Sequence, residues 1–585
     1  MVFAQNMAQW HLLMWVVPAL LAVLCSAVGK HLSRPVLLAL CLSGVSWPLL
    51  QALSAGVWFL WGGGQATPPL TLDVPGGQGL FALVFALDGM SNWAVALASA
   101  LSLLALVQAL DITRFWIGRH RYYALVLLVG ASANLLFTAR SMLAVLFGWE
   151  AVALAGTFAA GFWEPEEGRA RTGLRWLVFQ HIGTVCLVVV WLVHEAAPLL
   201  AAILLVCACA IRLGLPPFHG WVPEHSRSPS SALALVHSVA SLLAGIYLLQ
   251  KSWSLLVPVS WIVHLLYALG GAAVLAGVLA AWLPGRPATA LAWLFVAAGG
   301  LLTMVQAAGD AAAVRLLLTG LAPALAGAVL SLGGVVDWLE SRDVPRGTPP
   351  GRALVWLVAA LAGSLAIFPA ISALALGRAL LAFPAGTMTW VGVAAAGLFL
   401  VAAGRVLAGL AGTLAADLAQ RNRAPARHGG LLGAGWLAAG AGPLLGLALL
   451  VSHSFSGQIF GGGKGLAWGV ALGAGLVLGW LSGWFSSGPS WKPAMAGRLV
   501  GRAASSGLVL GELVVRLPVV LLRMVGVLVW RLVGDFLLDT VLVGTAVGTI
   551  EGVGAVTRLI QNGRVQRYAF VLLVLVLVLV MVLRG

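Results

Sequence analysis

The chain has 585 residues, of which 61% are hydrophobic and only 9% charged, with a formal net charge of +15. A soluble domain carries about a quarter charged residues, so this composition excludes a water-soluble globular protein and predicts an all-α integral membrane protein. At about 20 residues per crossing, the apolar segments number roughly fourteen to sixteen and leave no length for a sizeable soluble domain. Redox centres and nucleotide sites are therefore expected on partner subunits.

Basic residues alternate between successive loops. Lys30 and Arg34 follow the first apolar segment, whereas the next loop, around Asp73, has no basic residue. Since cytoplasmic loops are enriched in Lys and Arg, this alternation predicts a multi-pass protein of a bacterial or archaeal-type inner membrane, with its N-terminus outside. The positive charge is spread over short loops, so it does not indicate nucleic-acid binding; the expected surroundings are the lipid bilayer and other subunits.

The apolar segments form successive regions separated by short polar loops. The spacing of these loops predicts no linker between independent domains. The predicted regions are N-terminal spans at 1–121, a first repeat at 122–280, a second repeat at 281–420, additional spans at 421–494, a lateral amphipathic helix at 495–567 and a final span at 568–585.

Two apolar segments are interrupted by proline, at 212–238 and at 368–380. Proline frees backbone carbonyls that lipid cannot satisfy, so such a break must face protein or a water-filled cavity. Two broken helices about 150 residues apart suggest inverted repeats of the transporter type, with sites near the middle of the membrane.

The region at 495–533 has a different pattern. Its six charges lie within about 60° of one direction on a helix, a narrow polar stripe that favours a helix lying along the membrane surface or along the flank of the bundle. These charges are Arg498, Arg502, Glu512, Arg516, Arg523 and Arg531.

Charged or titratable side chains within apolar segments are the candidate functional residues, because each charge inside a bilayer costs at least ~2.5–3.5 kcal/mol. They are Glu150, Arg175, His181, Arg212, His237, Arg315, Arg378 and Arg405. Arg175 and His181 are six residues apart, so they cannot face the same cavity on one helix. The alternative interpretation is a buried Glu–Arg pair that fixes helix packing, with His237 making a structural hydrogen bond. Asp88, Lys251 and His264 are near span ends or alone and are interpreted as anchors or packing residues.

The five cysteines lie in or beside apolar segments. Cys207 and Cys209 form C-x-C rather than C-x-x-C, and no histidine cluster accompanies them. The sequence therefore predicts no metal site, no iron–sulfur site and no other cofactor on this chain.

Several motifs resemble the antiporter-like subunits of respiratory complex I and of Mrp-type cation/proton antiporters. The segment GWEAVALAGTFAAGFW (148–163) is similar to their GWE…GFW segment. LPPFHGWVPEHSRSPSSALALVHSVASLLAGIYLL (215–249) resembles their broken-helix signature, and LDGMSNW (87–93) resembles their LD-x-L-S motif. The tail at 534–569 resembles the lateral-helix region of the largest complex I subunit of this type.

The resemblance implies roles for three residues. Glu150 matches the family's fifth-helix glutamate, Arg212 is at the position of its seventh-helix lysine, and His237 matches its eighth-helix histidine. In the family, the glutamate modulates the lysine's pKa, and the pair gates proton movement toward a central polar axis. Arg175 and His181 complete the candidate set.

This sequence also departs from the family pattern. Arg212 keeps the charge but cannot readily release a proton, and Thr184 replaces the usual aspartate. In the second half, Thr319 and Pro323 stand for a histidine and a lysine, and Gly377 stands for a second lysine beside Arg378. A lysine-based channel in the second half is therefore not expected to be complete.

Three functions remain open at this stage. The leading hypothesis is a non-redox membrane subunit of a complex I-like translocase, moving protons or Na⁺ through a Glu/Arg/His relay. The second is the membrane half of a proton-coupled CO2 or bicarbonate uptake system with a large soluble zinc-containing partner. The third is a scaffold that moves no ion.

Overall fold

The structure is a computed structural model, and its described residues are 2–61, 66–72, 82–113, 116, 118–162, 169–282, 287–333, 398–399, 524, 551 and 574. Contacts divide the chain into two units, Met1–Val515 and Arg516–Gly585. The first unit contains nearly all of the described residues. In the second unit Met524, Glu551 and Val574 are described, and each is helical and exposed.

The described part of the first unit is almost entirely helical. Its N-terminal helices are α1 (Val2–Val28), α2 (Arg34–Trp61), α3 (Gly89–Ile112), α4 (Arg119–Thr138), α5 (Met142–Gly161), α6 (Arg169–Val193) and α7 (Pro198–Leu213). The later helices are α8 (Val222–His225), α9 (Ser230–Leu235), α10 (Ala244–Lys251), α11 (Trp253–Leu256), α12 (Ser260–Trp282), α13 (Pro287–Ala307) and α14 (Ala311–Ala328).

A short hairpin joins α2 to α3. Its strands, β1 (Leu70–Leu72) and β2 (Leu83–Phe85), are antiparallel, and Leu70 is opposite Phe85. The helix that follows begins at Asp88, whose carboxylate accepts a hydrogen bond from the Ser91 amide. Such an N-cap satisfies a donor that the helix itself leaves unpaired.

Ten helices among the described residues are long and apolar enough to cross a membrane. The chain is therefore an all-α, multi-pass integral membrane protein, as the composition predicted. The expected count of fourteen to sixteen spans includes segments outside the described residues. The second broken helix lies outside them, the lateral helix and the final span are described only at Met524, Glu551 and Val574, and the region boundaries stay predictions.

The broken helix predicted at 212–238 is present. Helix α7 ends at Gly214, which has a φ of +66° and stands where a Cβ would come within 2.8 Å of Val222. A 3-10 turn (His219–Trp221) and α8 follow, and the chain turns back into α9. Glycine is needed at this turn because other residues rarely adopt a positive φ.

The part of the broken helix that follows the break, residues 230–251, is its second arm and lies at the centre of the described bundle. It consists of α9, a π-helical segment (Val236–Leu243) and α10. The span at 230–251 is buried along its whole length, whereas the span at 172–193 is one-third buried. The arm therefore brings His237 into the middle of the described bundle.

Candidate functional site

Glu150 contacts two residues of the neighbouring helix α6. Its Oε1 lies 2.9 Å from His181 Nδ1, and its Oε2 accepts a hydrogen bond of 2.7 Å from Thr184 Oγ1. His181 and Thr184 are three residues apart, so α6 presents both on one face. The carboxylate of α5 is thus held between an imidazole and a hydroxyl, and Thr184 occupies the position where the resemblance implies an aspartate.

This contact is not sealed inside the protein. The Glu150 side chain is 29% exposed and the His181 side chain 44% exposed. The candidate site therefore reaches the surface of the chain, and a proton arriving there has a carboxylate and an imidazole within direct reach of one another.

Arg212 forms no ion pair with Glu150 among the described residues, and the carboxylate acts on it only as a nearby charge. The Arg212 side chain is fully buried, and its Nη2 donates a hydrogen bond of 2.9 Å to the backbone oxygen of Trp149. Its guanidinium carbon lies 3.8 Å from the centre of the Trp149 ring. The planar cation stacks on the indole, which keeps it on the residue next to the carboxylate rather than on the carboxylate itself.

Arg175 and His181 face different partners, in agreement with their spacing. Arg175 Nη1 forms an ion pair with Glu224 Oε1 on the short helix α8, whereas His181 lies against Glu150. The side chains of Arg175 and Glu224 are 21% and 22% exposed. The five candidate residues therefore lie in separate contacts between residues 150 and 237.

His237 lies in the π-helical segment between two aromatic rings. Trp221 stacks on it with ring centres 5.2 Å apart, and Phe295 of α13 stacks at 5.1 Å. Ser241 of the same segment donates a hydrogen bond of 2.7 Å to the backbone oxygen of Arg212. The π-helical segment therefore packs directly against the end of α7, and His237 belongs to the same buried region as Arg212.

A second histidine, His225, was absent from the candidate set. It is fully buried at the end of α8, with its ring centre 5.4 Å from that of His237. The sequence signal was present, because a histidine in the proline-rich break of an apolar segment meets the same rule as His237.

Asp88 is the centre of an ion cluster with Lys251 and Arg140. Its Oδ2 lies 2.7 Å from Lys251 Nζ and 2.9 Å from Arg140 Nη2. Burial alone would raise the pKa of this carboxyl, but Lys251, the Ser91 amide and Arg140 together hold the pKa well below its usual range. The interpretation of Asp88 and Lys251 as anchors agrees with their position at helix ends, whereas the ion pairs that join them were not predicted.

Other candidates lie apart from these contacts. Arg315 is half-buried on α14, and its backbone oxygen accepts a hydrogen bond of 2.7 Å from Thr319 Oγ1. Arg378 and Arg405 are outside the described residues. Across the part of the chain that the structure describes, no group of three or more His, Cys, Asp or Glu side chains is arranged to hold a metal ion.

Comparison with known proteins gives partial sequence matches. No family model matches the chain. It is 24% identical to NADH-ubiquinone oxidoreductase chain 5 of Lycodon semicarinatus over 131 residues, 20% of this chain and 22% of that protein. It is 21% identical to the chloroplastic NAD(P)H-quinone oxidoreductase subunit 5 of Zea mays over 212 residues, 32% of this chain and 29% of that protein. The matched part is thus under a third of the length of these curated relatives.

Two solved structures have the same fold over nearly the whole chain. A chain of the membrane-bound sulfane sulfur reductase, an archaeal respiratory membrane complex, superposes with a TM-score of 0.57 at 16% identity, covering 97% of this chain and 99% of that one. A chain of the Mrp complex from Dietzia sp. DQ12-45-1b gives a TM-score of 0.53 at 20% identity, covering 97% and 62%. With the sequence matches, they show that this chain is similar in fold, and in part of its sequence, to antiporter-like membrane subunits of complex I and the Mrp complexes.

Proposed function

We propose that the chain translocates protons, or Na⁺ coupled to protons, as a membrane subunit of a complex I-like assembly. The observation that carries this proposal is the contact of Glu150 with His181 and Thr184 inside a membrane-spanning helix pair. A carboxylate in a span is costly, and its pairing with an imidazole gives it a proton-exchange partner.

The chemistry of the pair suits proton transfer. Imidazole changes its charge near neutral pH. Glu150 Oε1 and His181 Nδ1 are 2.9 Å apart but are not aligned as a hydrogen bond, so a rotation of the ring would bring them into line for transfer. A proton on the carboxyl can pass to the ring nitrogen or return. Thr184 holds the second carboxylate oxygen, which fixes the orientation of the first toward His181.

Arg212 and His237 have different parts in this proposal. The guanidinium of Arg212 stays protonated, so it is a fixed positive charge beside the backbone of Glu150 rather than a carrier. His237 can carry a proton, and it lies in the central arm that packs against Arg212. A conformational change that moves the stacked Arg212 relative to Glu150 would alter the stability of the negative carboxylate and so gate the pair.

Energy for transport is assigned to partner subunits. The structural neighbours are chains of complexes, one of them described as respiratory. This chain is proposed to work without a cofactor of its own, receiving a conformational or electrical input from membrane and soluble subunits.

The test uses the native assembly, purified through a tag on this chain and reconstituted into vesicles that contain a pH-sensitive dye. Proton uptake is measured under an imposed potassium diffusion potential and under an imposed sodium gradient. Glu150→Gln is expected to lower uptake at least about tenfold, since it removes the exchanging group. Glu195→Gln is the matched control, because that side chain is 91% exposed, and it should leave uptake unchanged.

Other results would favour the alternatives. Full uptake in assemblies carrying Glu150→Gln and in those carrying His237→Ala would contradict the proposal and favour a scaffold. Mass spectrometry of the purified assembly gives a second answer: quinone- or hydrogenase-type subunits support the proposal, whereas a single large zinc-containing soluble partner supports CO2 or bicarbonate uptake.

A further inference from the structure

His225 is a buried titratable side chain for which the proposed relay has no use. Its side chain is 0% exposed, and neither ring nitrogen has a hydrogen-bond partner among the described residues. Its ring packs against Trp176 at 5.4 Å, against Trp221 at 5.2 Å and edge-on against His237 at 5.4 Å. The surroundings of this imidazole are therefore aromatic rings and one other imidazole.

Packing alone does not account for a histidine at this position. Burying a polar group without a hydrogen bond costs about 1–3 kcal/mol, and a phenylalanine would fill a similar volume without that cost. The neighbouring position shows that phenylalanine suits this environment, because Phe295 stacks on His237. The nitrogen atoms of His225 therefore need an explanation other than shape.

The position of His225 along the chain supplies that explanation. The preceding residue, Glu224, forms the ion pair with Arg175, and both side chains are about one-fifth exposed. On the other side of His225 lies His237, which is 1% exposed and has its Nε2 unpartnered among the described residues. His225 thus lies between an ion pair that reaches the surface of the chain and a buried imidazole in the central arm.

We propose that His225 carries protons between the Arg175–Glu224 pair and His237. This inference rests on the proposed function, to which it adds a further step that acts in series with the Glu150–His181 contact, so that loss of either step stops the flow. The gaps on both sides of His225 would be crossed by water molecules bound at the buried ring nitrogens that lack protein partners.

The proton balance of this step is simple. Neutral His225 has one protonated and one bare ring nitrogen. The bare nitrogen accepts a proton from a water that is reprotonated from the Glu224 side, and imidazolium forms. The other nitrogen then releases its proton to a water that passes one on to His237 Nε2. One proton enters and one leaves, and a ring flip restores the starting tautomer.

The test compares variants in the reconstituted native assembly under the imposed potential. His225→Phe keeps a ring against Trp176 and Trp221 but removes both nitrogens, and His225→Gln keeps hydrogen-bonding atoms but cannot be protonated near neutral pH. Both variants are expected to lower proton uptake about tenfold, the scale of a lost acid–base group at the low end of its range. His264→Phe, at an exposed histidine whose Nδ1 lies 3.1 Å from the Ser260 backbone oxygen, is the matched control and should be unchanged.

Each outcome has a distinct meaning. Unchanged uptake in an assembled His225→Phe or His225→Gln variant, with Glu150→Gln still defective, overturns this inference and leaves the proposed function standing. If His225→Phe fails to assemble, His225→Gln alone decides. Absence of any proton or sodium-driven uptake in the unmodified assembly contradicts the proposed function, and this inference fails with it.

Discussion

The guanidinium of Arg212 lies over the indole of Trp149, 3.8 Å from its centre, and donates a hydrogen bond to the backbone oxygen of the same residue. Trp149 immediately precedes Glu150, so the cation is fixed to the helix of the carboxylate without touching the carboxylate. Trp176 is also near the cation, at 5.7 Å. An arginine at this position is therefore held by a planar aromatic contact that a lysine would not reproduce.

Arg212→Lys should destabilise the protein while keeping its charge. Lysine lacks the flat, weakly hydrated guanidinium, so the stacking contact is lost at a cost of about 2 kcal/mol for a desolvated cation. Thermal unfolding of the purified protein in detergent measures the change. Arg227→Lys is the control, since Arg227 is exposed, and it should have no effect. Equal stability of Arg212→Lys and the unmodified protein would show that the stacking contributes nothing.

Thr184→Val should weaken proton uptake. Valine matches threonine in shape but removes the 2.7 Å hydrogen bond to Glu150 Oε2. A hydrogen bond to a charged group contributes about 1.5–3 kcal/mol, and a loss of 1.4 kcal/mol corresponds to a factor of about ten. Uptake by reconstituted vesicles is expected to fall about tenfold. Thr184→Ser keeps the hydroxyl and should stay within about twofold; an equal defect in both variants would point to packing instead of the hydrogen bond.

Sequence reasoning identified the individual residues of the first repeat better than their contacts. Glu150 and His237 stood out because polar groups inside apolar segments are costly, and the broken helix followed from its prolines. The direct contacts of Glu150 with His181 and Thr184 were not predicted, because helical spacing relates residues of one helix only. Whether Arg212 reaches a carboxylate or an indole depends on how α5 and α7 pack. The sequences of the two helices do not specify their spacing.

The Asp88 cluster shows the same boundary between local and tertiary information. Its three charged members come from the start of α3, the loop before α5 and the end of α10. In the sequence each of them is an ordinary residue at the end of a span. The sequence indicates where each helix ends, but not that these three helix ends meet in the folded protein. Opposite charges at the ends of several spans on one membrane face were the available signal.

Gly156→Ala should destabilise the packing of α5 on α6. A Cβ at Gly156 would lie 2.8 Å from Trp176 Nε1, so the indole would have to shift away from its hydrogen bond to the Ala153 backbone oxygen. Overpacking of this kind costs about 1–3 kcal/mol. Gly271→Ala is the matched control, since nothing lies within 4 Å of its added Cβ, and it should be neutral or up to about 1 kcal/mol more stable. Similar stabilities of the two variants in thermal unfolding would contradict the close approach.

Asp88→Asn should lower stability by about 1 kcal/mol, the upper range for a partly exposed ion pair. Asparagine is as good an N-cap as aspartate, so the variant keeps the cap on α3 and removes only the charge shared by Arg140 and Lys251.

The pH dependence separates this charge effect from packing. Since the pKa of Asp88 in the folded protein is below its ordinary value of 3.8, its contribution is fully present above about pH 4 and is lost as the pH falls further. The unfolding temperatures of the unmodified protein and the Asp88→Asn variant should therefore differ by a constant amount from pH 7 to pH 5 and converge below pH 4. A difference that persists unchanged at low pH would mean that the substitution disturbs the packing and that the carboxylate charge is not what stabilises this end of the bundle.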